Sequence, residues 1–263
     1  MINWFLRIVS ERVQNFFGRA YYLLLRLTNS SHSNADIFSK IYESGMWGGD
    51  GSAAFSGLGS RGELLSSTVD AVNMLIADSN ASSILDIGCG DGEFVSELLR
   101  RNVSLKHYCA IDVSRQALTV AKQKTDDFRA HFEVMDASSA AFEYYDLVLI
   151  RQVLQHLSNE TIQSILDNIG HCGSLLVIEH RPSDSTATPN KNIPTGASTR
   201  RFKNSFVDLS KPPFNHSFTE KRELSKIEIK SVKGYLVGTY FCRKVGDSSG
   251  GSQLLGTKTS AKL

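Results

Sequence analysis

Strand-like apolar runs alternate with helix-like segments through the middle of this chain. The alternation begins at residue 83 and continues to residue 178. Parallel neighbouring strands need a crossover connection, usually a helix, so this order predicts right-handed βαβ units and a parallel sheet with helices on both faces. The strand candidates are 83–87, 108–113, 132–135, 146–150 and 174–178, and the helix candidates between them are 92–101, 115–124 and 160–169.

Three further segments complete this α/β pattern. Residues 61–77 keep apolar side chains at helical spacing and predict a helix that covers the sheet before its first strand. After the Pro212-Pro213 pair, residues 226–232 and 235–242 form two strand-like runs. They are close enough in sequence to pair antiparallel at a sheet edge.

The composition is consistent with one large globular domain or two small ones. The chain has 263 residues, of which 41% are hydrophobic, enough for a buried core. Its 29 Lys and Arg and 27 Asp and Glu give a net charge of +2, too close to balance for a protein that binds nucleic acid over its whole surface. The four cysteines lie far apart and form no CxxC pair, so we expect buried free thiols in a reducing compartment and no metal site.

The two ends of the chain differ from the middle. A membrane span needs roughly 20 consecutive apolar residues, whereas the longest apolar run in residues 1–28 lies between Arg19 and Arg26. We expect residues 1–28 to form a basic amphipathic helix, an N-terminal cap that docks on a membrane surface or a partner, or else packs on the domain itself. Residues 246–263 are small and polar and predict a disordered tail. The expected location is cytoplasmic, either free or peripheral on a membrane.

A glycine-rich loop, DIGCGDG at residues 86–92, follows the first predicted strand and opens the first predicted helix. Glycines let the backbone approach a ligand closely and the helix N-terminus supplies N–H donors, although an ordinary tight turn has the same pattern. Two carboxylates favour a nucleoside ligand. Asp112 ends the second strand, where it can accept the ribose hydroxyls, and Asp136 ends the third, where it can bind an exocyclic amine of the base.

The charge of this loop separates two kinds of cofactor. A dinucleotide places its pyrophosphate at the helix N-terminus, whereas here Asp86 precedes the glycines and Asp91 lies between them. Carboxylates at that place repel a pyrophosphate and suit a cationic ligand. S-adenosylmethionine, a nucleoside that carries an ammonium and a sulfonium, fits this pattern better than NAD.

Four segments in succession resemble the motifs of the class I, Rossmann-like S-adenosylmethionine-dependent methyltransferases. They are ILDIGCGDGEF, AIDVS, MDAS and DLVLIRQVLQHLS. The resemblance implies a doubly wound, mostly parallel seven-stranded sheet with a final antiparallel hairpin. It also implies a cofactor site in which Asp86 lies near the methionine end, partly through water, Gly88, Cys89 and Gly90 pass beneath the cofactor, Asp112 and Val113 hold the ribose, Asp136 and Ala137 frame the adenine, and Arg151 is a further contact.

Two other segments resemble a subgroup of methyltransferases that act on small molecules or glycans. Residues 41–60 are similar to its IY…WG…SGxGS pattern, and residues 208–215 to its DL…PPFN loop. The resemblance covers the range 36–245, which we expect to be one methyltransferase domain. Trp47 is either a core aromatic of the first of these segments or a lid over the cofactor.

The segment after the fourth predicted strand indicates the class of methyl acceptor. Methyltransferases that act on exocyclic amines of nucleic acids commonly carry Asn/Asp-Pro-Pro-aromatic there, whereas IRQVLQHL in this chain resembles the small-molecule branch. His156 lies about one helical turn beyond the strand end, and an imidazole accepts a proton near neutral pH. His156 is therefore a candidate general base; the alternative is a structural histidine that bridges the helix and a loop.

Gln152 departs from the pattern of the subgroup, which usually has Asp at this position. An amide has no charge and does not accept a proton, so either the Asp is not essential or this chain has changed its substrate or lost activity. His180 and Arg181 at the end of the fifth strand, with Arg200 and Arg201 in a later loop, approach the same edge of the sheet. Two arginines there can orient an anionic acceptor or remain solvated.

The expected activity is transfer of a methyl group from S-adenosylmethionine to an oxygen, and in second place a nitrogen, of a small molecule or glycan. The alternatives are an RNA or protein methyltransferase and a catalytically silent cofactor-binding module. Nucleic acid is not an expected partner.

Overall fold

A seven-stranded sheet is the centre of this computed structural model, which describes residues 33–48, 54–229 and 233–242. The strand order is β3-β2-β1-β4-β5-β9-β8, and β9 runs antiparallel to both of its neighbours while the other strands are parallel. A separate pair, β6 and β7, lies outside this sheet. The strands are β1 Ser83–Ile87, β2 His107–Asp112, β3 Ala130–Val134, β4 Leu147–Arg151, β5 Ser174–Pro182, β6 Thr188–Pro189, β7 Ser205–Phe206, β8 Glu220–Ile229 and β9 Gly234–Cys242.

Helices cover both faces of the sheet. They are α1 Asn34–Glu43, α2 Gly62–Ser79, α3 Glu93–Arg101, α4 Arg115–Lys124 and α5 Asn159–Asn168, and three short 3-10 turns lie at Leu58–Ser60, Leu154–His156 and Arg200–Lys203. Successive residues of a strand point to opposite faces. Accordingly, Ile84 of β1 packs in a cluster with α2 and α3, whereas Leu85 packs in a second cluster with α1 and α5. The doubly wound architecture and the final antiparallel hairpin are confirmed.

The element boundaries differ from the predicted ones where the tertiary structure decides them. Helix α4 and strand β1 match the prediction, but β5 continues to Pro182 because its whole length pairs with β9. Strand β8 begins at Glu220, six residues before the predicted run, because charged side chains are tolerated on an edge strand that has one neighbour. Helix α1 was not predicted, although Ser33 and Asp36 form a capping box that marks its start.

Both predicted terminal segments, the amphipathic helix at 1–28 and the tail at 246–263, lie outside the described residues. Within the described ranges, every helix is too short or too polar to cross a membrane.

The topology leaves a crevice at one edge of the sheet. The chain runs from β1 outward to β2 and β3 and then returns to β4 on the other side of β1, so the strand order reverses between β1 and β4. Loops that leave the carboxyl ends of these two strands diverge toward opposite faces of the sheet. Open α/β sheets bind ligands at such a reversal.

Two glycines with positive φ allow a test of how closely α3 packs against α4. Gly92 has φ +74°, and a Cβ at this residue would lie 2.6 Å from Ala121 Cβ, whereas Gly62 has φ +58° with nothing within 4 Å of its Cβ position. We expect Gly62→Ala to cost about 1–2 kcal/mol of unfolding free energy from backbone strain alone. Gly92→Ala should cost about 1–3 kcal/mol more, since the methyl group also collides with α4. Urea denaturation measures both, and equal losses would contradict the close packing.

Candidate functional site

A cavity of about 670 Å³ lies at the carboxyl ends of the central strands, where the strand order reverses. Its size is that of a site for a cofactor-sized ligand. All of the predicted site residues except Asp86 line it: Gly88, Cys89, Gly90, Asp112, Val113, Asp136, Ala137, Arg151 and His156. The structure thus brings together side chains from four strand ends.

The backbone of the glycine loop is fully engaged with the protein. The N–H groups of Gly88 and Cys89 donate to Ile111 O at 2.8 and 3.0 Å, and that of Gly90 donates to Asp112 Oδ2 at 3.0 Å. The next two, at residues 91 and 92, donate to Ser56 Oγ at 2.8 Å and to the carbonyl of Cys89 at 3.4 Å. A pyrophosphate requires several of these donors. The loop therefore suits a nucleoside without a diphosphate.

The role predicted for Asp91 is wrong. Its side chain is buried, does not line the cavity, and pairs with Arg61 and with Lys124 Nζ, the latter at 3.2 Å. Burial opposes ionisation, but the hydrogen bond and the charge of Arg61, with Lys124, lower the pKa of Asp91 below its usual value. Its charge is compensated within the protein, so the loop disfavours a pyrophosphate through its occupied N–H groups and not through this carboxylate.

Asp112 presents a preorganised carboxylate to the cavity. Oδ2 accepts the N–H of Gly90 at 3.0 Å and Oδ1 accepts the N–H of Ser114 at 2.8 Å. Burial raises the pKa of Asp112 to about 6, although these N–H donors lower it. A carboxylate has about four lone-pair sites, so each oxygen can still accept one more donor. This geometry fits two adjacent ribose hydroxyls.

Asp136 lies at the end of β3, where it fixes the start of α1. Oδ1 accepts the N–H and the hydroxyl of Ser138 at 2.9 and 2.7 Å, and Oδ2 accepts Asn34 Nδ2 at 2.9 Å. Met135 and Ala137, on either side of Asp136 in sequence, supply apolar wall of the cavity, as does Val113. Asn34 is a cavity residue that the sequence analysis missed. The sequence signal available for Asn34 was the capping box of Ser33 and Asp36, which marks the start of α1 at this residue.

Asp86 and Arg151 form a buried charged layer next to the loop. Asp86 Oδ2 accepts the hydroxyl of Tyr108 at 2.8 Å, and Oδ1 has no partner. Burial raises the pKa of Asp86 to about 6, while the charge of Arg151 lowers it. Arg151 donates to Ser60 Oγ at 2.9 Å, and its Nε is buried without a partner. Asp86 does not line the cavity, so it reaches a ligand only through an intermediary such as Arg151 or a water.

Gln152 has a structural role that an Asp could not perform. Its backbone has φ +57°, and its N–H donates to Ile178 O at 2.7 Å. The side-chain Nε2 donates to Gly59 O at 3.0 Å. A carboxylate accepts hydrogen bonds and cannot donate one to a carbonyl. The amide therefore attaches the segment before α2 to the end of β4.

Glu179 holds the turn that follows β4 and was missed by the sequence analysis. Its carboxylate is buried and accepts three consecutive backbone N–H groups, from Val153 at 3.0 Å, Leu154 at 2.7 Å and Gln155 at 3.3 Å. Burial raises the pKa of Glu179 to about 8, against the effect of these donors. A charged residue inside an apolar strand was the available signal, because Glu is almost never fully buried without partners.

His156 forms the predicted structural bridge and lines the cavity. Its Nδ1 lies 3.2 Å from the carbonyl of Gly196, so this nitrogen carries the proton and Nε2 keeps the lone pair. Gln155 Nε2 lies 3.4 Å from His156 Nε2 and donates to its lone pair. Burial lowers the pKa of His156 to about 4, so the ring is neutral near pH 7. The histidine bridges two loops and also faces the cavity.

Trp47 likewise serves as both core aromatic and cavity wall. The centre of its ring lies 5.9 Å from the ring centre of Phe38 and 5.1 Å from that of Tyr42. It also lies 5.1 Å from the ring centre of His156, which lines the cavity with it.

The later basic residues separate into two groups. His180 and Arg201 line the cavity. Arg200 is 1% exposed and donates to Leu157 O at 2.6 Å and to Lys191 O at 2.9 Å. Arg181 pairs with Glu223 at 3.6 Å. Neither Arg200 nor Arg181 belongs to the cavity wall, which corrects the expectation that both adjacent arginines face a ligand. Over the described ranges, His, Cys, Asp and Glu side chains form no cluster of three that could hold a metal.

Comparisons with known proteins find methyltransferases among the matches to this chain. Residues 85–173, about a third of the chain, match the model of a family described as a methyltransferase domain. No curated protein matches the chain significantly. Magnesium protoporphyrin IX methyltransferase from Synechocystis PCC 6803, solved with bound S-adenosylmethionine, is 18% identical with a TM-score of 0.50, over 82% of this chain and 100% of that one. The N-methyltransferase NodS from Bradyrhizobium japonicum WM9, in complex with S-adenosylhomocysteine, is 17% identical with a TM-score of 0.50, over 69% of this chain and 88% of that one.

The carboxylate of Asp112 can be tested as the ribose ligand. In Asp112→Asn an amide donor must face the N–H of Gly90 or Ser114, so we expect affinity for S-adenosylmethionine to fall about 10- to 100-fold. Binding to the unmodified chain should also weaken below about pH 6, because the carboxyl then becomes protonated. Calorimetric titration measures both effects, with the exposed Asp126→Asn as control. Equal affinity of the two variants would place the ribose elsewhere.

Burial of Glu179 predicts a pH dependence of stability. The folded-state pKa of about 8 lies above the ordinary value of 4.5, so between these pH values the folded chain keeps a proton that the unfolded chain releases. This contribution to the free energy of unfolding is full below pH 4.5 and is lost as the pH rises through 8. Glu179→Gln removes it, so urea denaturation between pH 5 and about 8.5 should show a flatter profile than in the unmodified chain. The exposed Glu160→Gln should keep the original profile, and an unchanged profile in Glu179→Gln would contradict the raised pKa.

Proposed function

We propose that this chain, a class I S-adenosylmethionine-dependent methyltransferase, methylates a hydroxyl oxygen of a small molecule or glycan, and in second place a nitrogen. The observation that carries the proposal is a neutral imidazole at the cavity wall: His156 uses Nδ1 to bind Gly196 and keeps the lone pair of Nε2. Oxygen acceptors need a base for the hydroxyl proton more than amine acceptors do. A buried, correctly tautomerised histidine supplies that base.

The residues around the cavity fit the cofactor in their donor and acceptor chemistry. Asp112 can accept the ribose hydroxyls, Asp136 can accept the adenine amine, and Val113 can pack on the base. The buried Nε of Arg151 lacks a partner and can donate to the carboxylate of the methionine end. When bound, S-adenosylmethionine supplies an electrophilic methyl group on a sulfonium whose sulfur retains the electron pair of the broken S–C bond.

The chain then contributes positioning and proton transfer. The hydroxyl of the acceptor replaces Gln155 Nε2 as the donor to His156 Nε2, and as its oxygen forms the new O–C bond the proton passes to that nitrogen. The attacking hydroxyl becomes strongly acidic as it gains the methyl group, so a weakly basic imidazole is sufficient. Glu179 acts indirectly, because it fixes the turn of residues 153–155 that immediately precedes His156. A fixed acceptor and base account for acceleration mainly through orientation.

The substitution His156→Asn removes the proposed base and keeps a donor for the hydrogen bond to Gly196. The shorter amide can still donate to Gly196 O in place of Nδ1 but has no counterpart of Nε2. We expect transfer of label from methyl-labelled S-adenosylmethionine into a metabolite extract to fall about 10²- to 10⁴-fold, with cofactor affinity preserved. With S-adenosylmethionine kept saturating, the rate of the unmodified chain should stay flat from about pH 8 down to about pH 5 because the pKa of His156 is near 4. The control is His131→Asn at an exposed histidine, and undiminished transfer by His156→Asn would remove His156 as the base.

A further inference from the structure

We propose that the methyl acceptor carries an oxyanion, a carboxylate, phosphate or sulfate, which Arg201 and Thr199 bind while its hydroxyl faces His156 and Gln155. The inference rests on the proposed function and narrows its substrate class to hydroxylated anions.

Three buried polar atoms without partners belong to residues that line the cavity. Trp47 Nε1, Gln155 Oε1 and Thr199 Oγ1 are each buried and unpartnered, and all three residues line the cavity. A buried polar group without a hydrogen bond is costly and uncommon in folded proteins. Gln155 is only 4% exposed, so its free carbonyl is not satisfied by bulk solvent. These atoms indicate a polar ligand beyond the cofactor.

The segment that carries Thr199 and Arg201 is held rigidly by the residue between them. Arg200 is buried and donates to Lys191 O, Leu157 O and Asn159 Oδ1 at 2.9, 2.6 and 2.9 Å. Thr199 occupies the N-cap of the 3-10 turn, yet its hydroxyl makes no capping bond. Both neighbours of Arg200 line the cavity. An anchored backbone with two polar side chains at the wall is how a preorganised binding site is built.

Among the described residues, one cation of the cavity wall lies outside the cofactor region. Four Asp, Glu, Lys or Arg side chains line it within the described ranges, and three of them, Asp112, Asp136 and Arg151, belong to the cofactor region. The fourth is Arg201, whose guanidinium lies 5.0 Å from the ring centre of Phe202. The adjacent His180 is neutral near pH 7, because burial and then the charge of Arg201 lower its pKa to about 4. A guanidinium pairs with oxyanions in a planar, bidentate geometry.

The remaining polar atoms accept hydrogen bonds. Gln155 Oε1 is an acceptor without a partner, whereas His156 Nε2 is an acceptor that Gln155 Nε2 contacts at 3.4 Å, and both residues line the cavity. Thr199 and Arg201 supply donors for an anion, whereas Gln155 Oε1 requires a donor such as a hydroxyl. One ligand that satisfies both sets is a hydroxylated anion, which becomes methylated at the hydroxyl while the oxyanion stays bound. In that step the new bond is O–CH₃, the S–CH₃ bond breaks, and the hydroxyl proton passes to His156.

The test separates extract metabolites by charge before and after the reaction. An anion-exchange column divides a metabolite extract into retained and unretained pools, and each pool is incubated with the full chain and methyl-labelled S-adenosylmethionine. We expect label only from the retained pool, in products that are again retained. Phosphatase treatment of that pool beforehand abolishes labelling if the anion is a phosphate ester and leaves it intact if it is a carboxylate or sulfate.

Substitutions of Arg201 then test whether its guanidinium binds the acceptor. Arg201→Gln should raise the concentration of the retained pool that gives half-maximal rate at least about 10-fold, with the saturated rate and the affinity for S-adenosylmethionine little changed. Arg201→Lys should restore part of the loss because it keeps the charge. The matched control is Lys203→Gln, an exposed cation of the same turn, which should behave as the unmodified chain.

The outcomes distinguish this inference from the proposed function. Labelled products from the unretained pool, or an Arg201→Gln variant equal to the control, overturn the anionic acceptor while methyl transfer to a small molecule stands. Retained acceptors that yield unretained products mean that the oxyanion itself is methylated, which also overturns the arrangement. No label from either pool, with cofactor binding intact, overturns the proposed function and this inference together.

Discussion

Buried carboxylates at strand ends bind the backbone N–H groups of neighbouring loops, and the cavity depends on these contacts. Asp112 at the end of β2 binds Gly90 of the β1 loop and Ser114 of its own loop. Glu179 in β5 binds three N–H groups of the turn after β4. In each case a side chain from one strand fixes the loop of the adjacent strand. The loops at this edge therefore depend on the sheet register as well as on their own local sequence.

The same contacts set the electrostatics of the site. Burial disfavours the charged form of any group, so it raises the pKa of Asp112 and Glu179 and lowers that of His156 and His180. For the two carboxylates, the backbone N–H donors lower the pKa and so oppose the effect of burial. At His180, the positive charge of Arg201 lowers the pKa further. Two imidazoles are thereby neutral in a cavity that also holds charged carboxylates and guanidinium groups. This combination allows a proton acceptor to coexist with binding sites for a cationic cofactor.

The elements and most of the residues that line the cavity beside the glycine loop are recognisable from the sequence because both depend on local signals. Apolar runs mark the buried parallel strands, and Asp112 is identifiable because it ends such a run, whereas Asp136 follows the mostly exposed strand β3 by two residues. Features that depend on distant partners were not predictable. Asp91 has the position of a ligand-facing acid, but Arg61, thirty residues earlier, compensates its charge. The tautomer of His156 is likewise set by a carbonyl forty residues later in the chain.

The contacts of Gln152 give a physical reason for glutamine at a position where the family pattern has aspartate. At φ +57° the backbone is in the left-handed region, which Asn, Asp and Gly adopt more readily than Gln, so this residue carries some strain. Its hydrogen bonds to Ile178 and Gly59 offset that strain. An Asp at this position would face the carbonyl of Gly59 with an acceptor. The glutamine therefore belongs to an arrangement in which Gly57, Gly59 and Ser60 form part of the cavity wall, and a catalytically silent module is not needed to explain it.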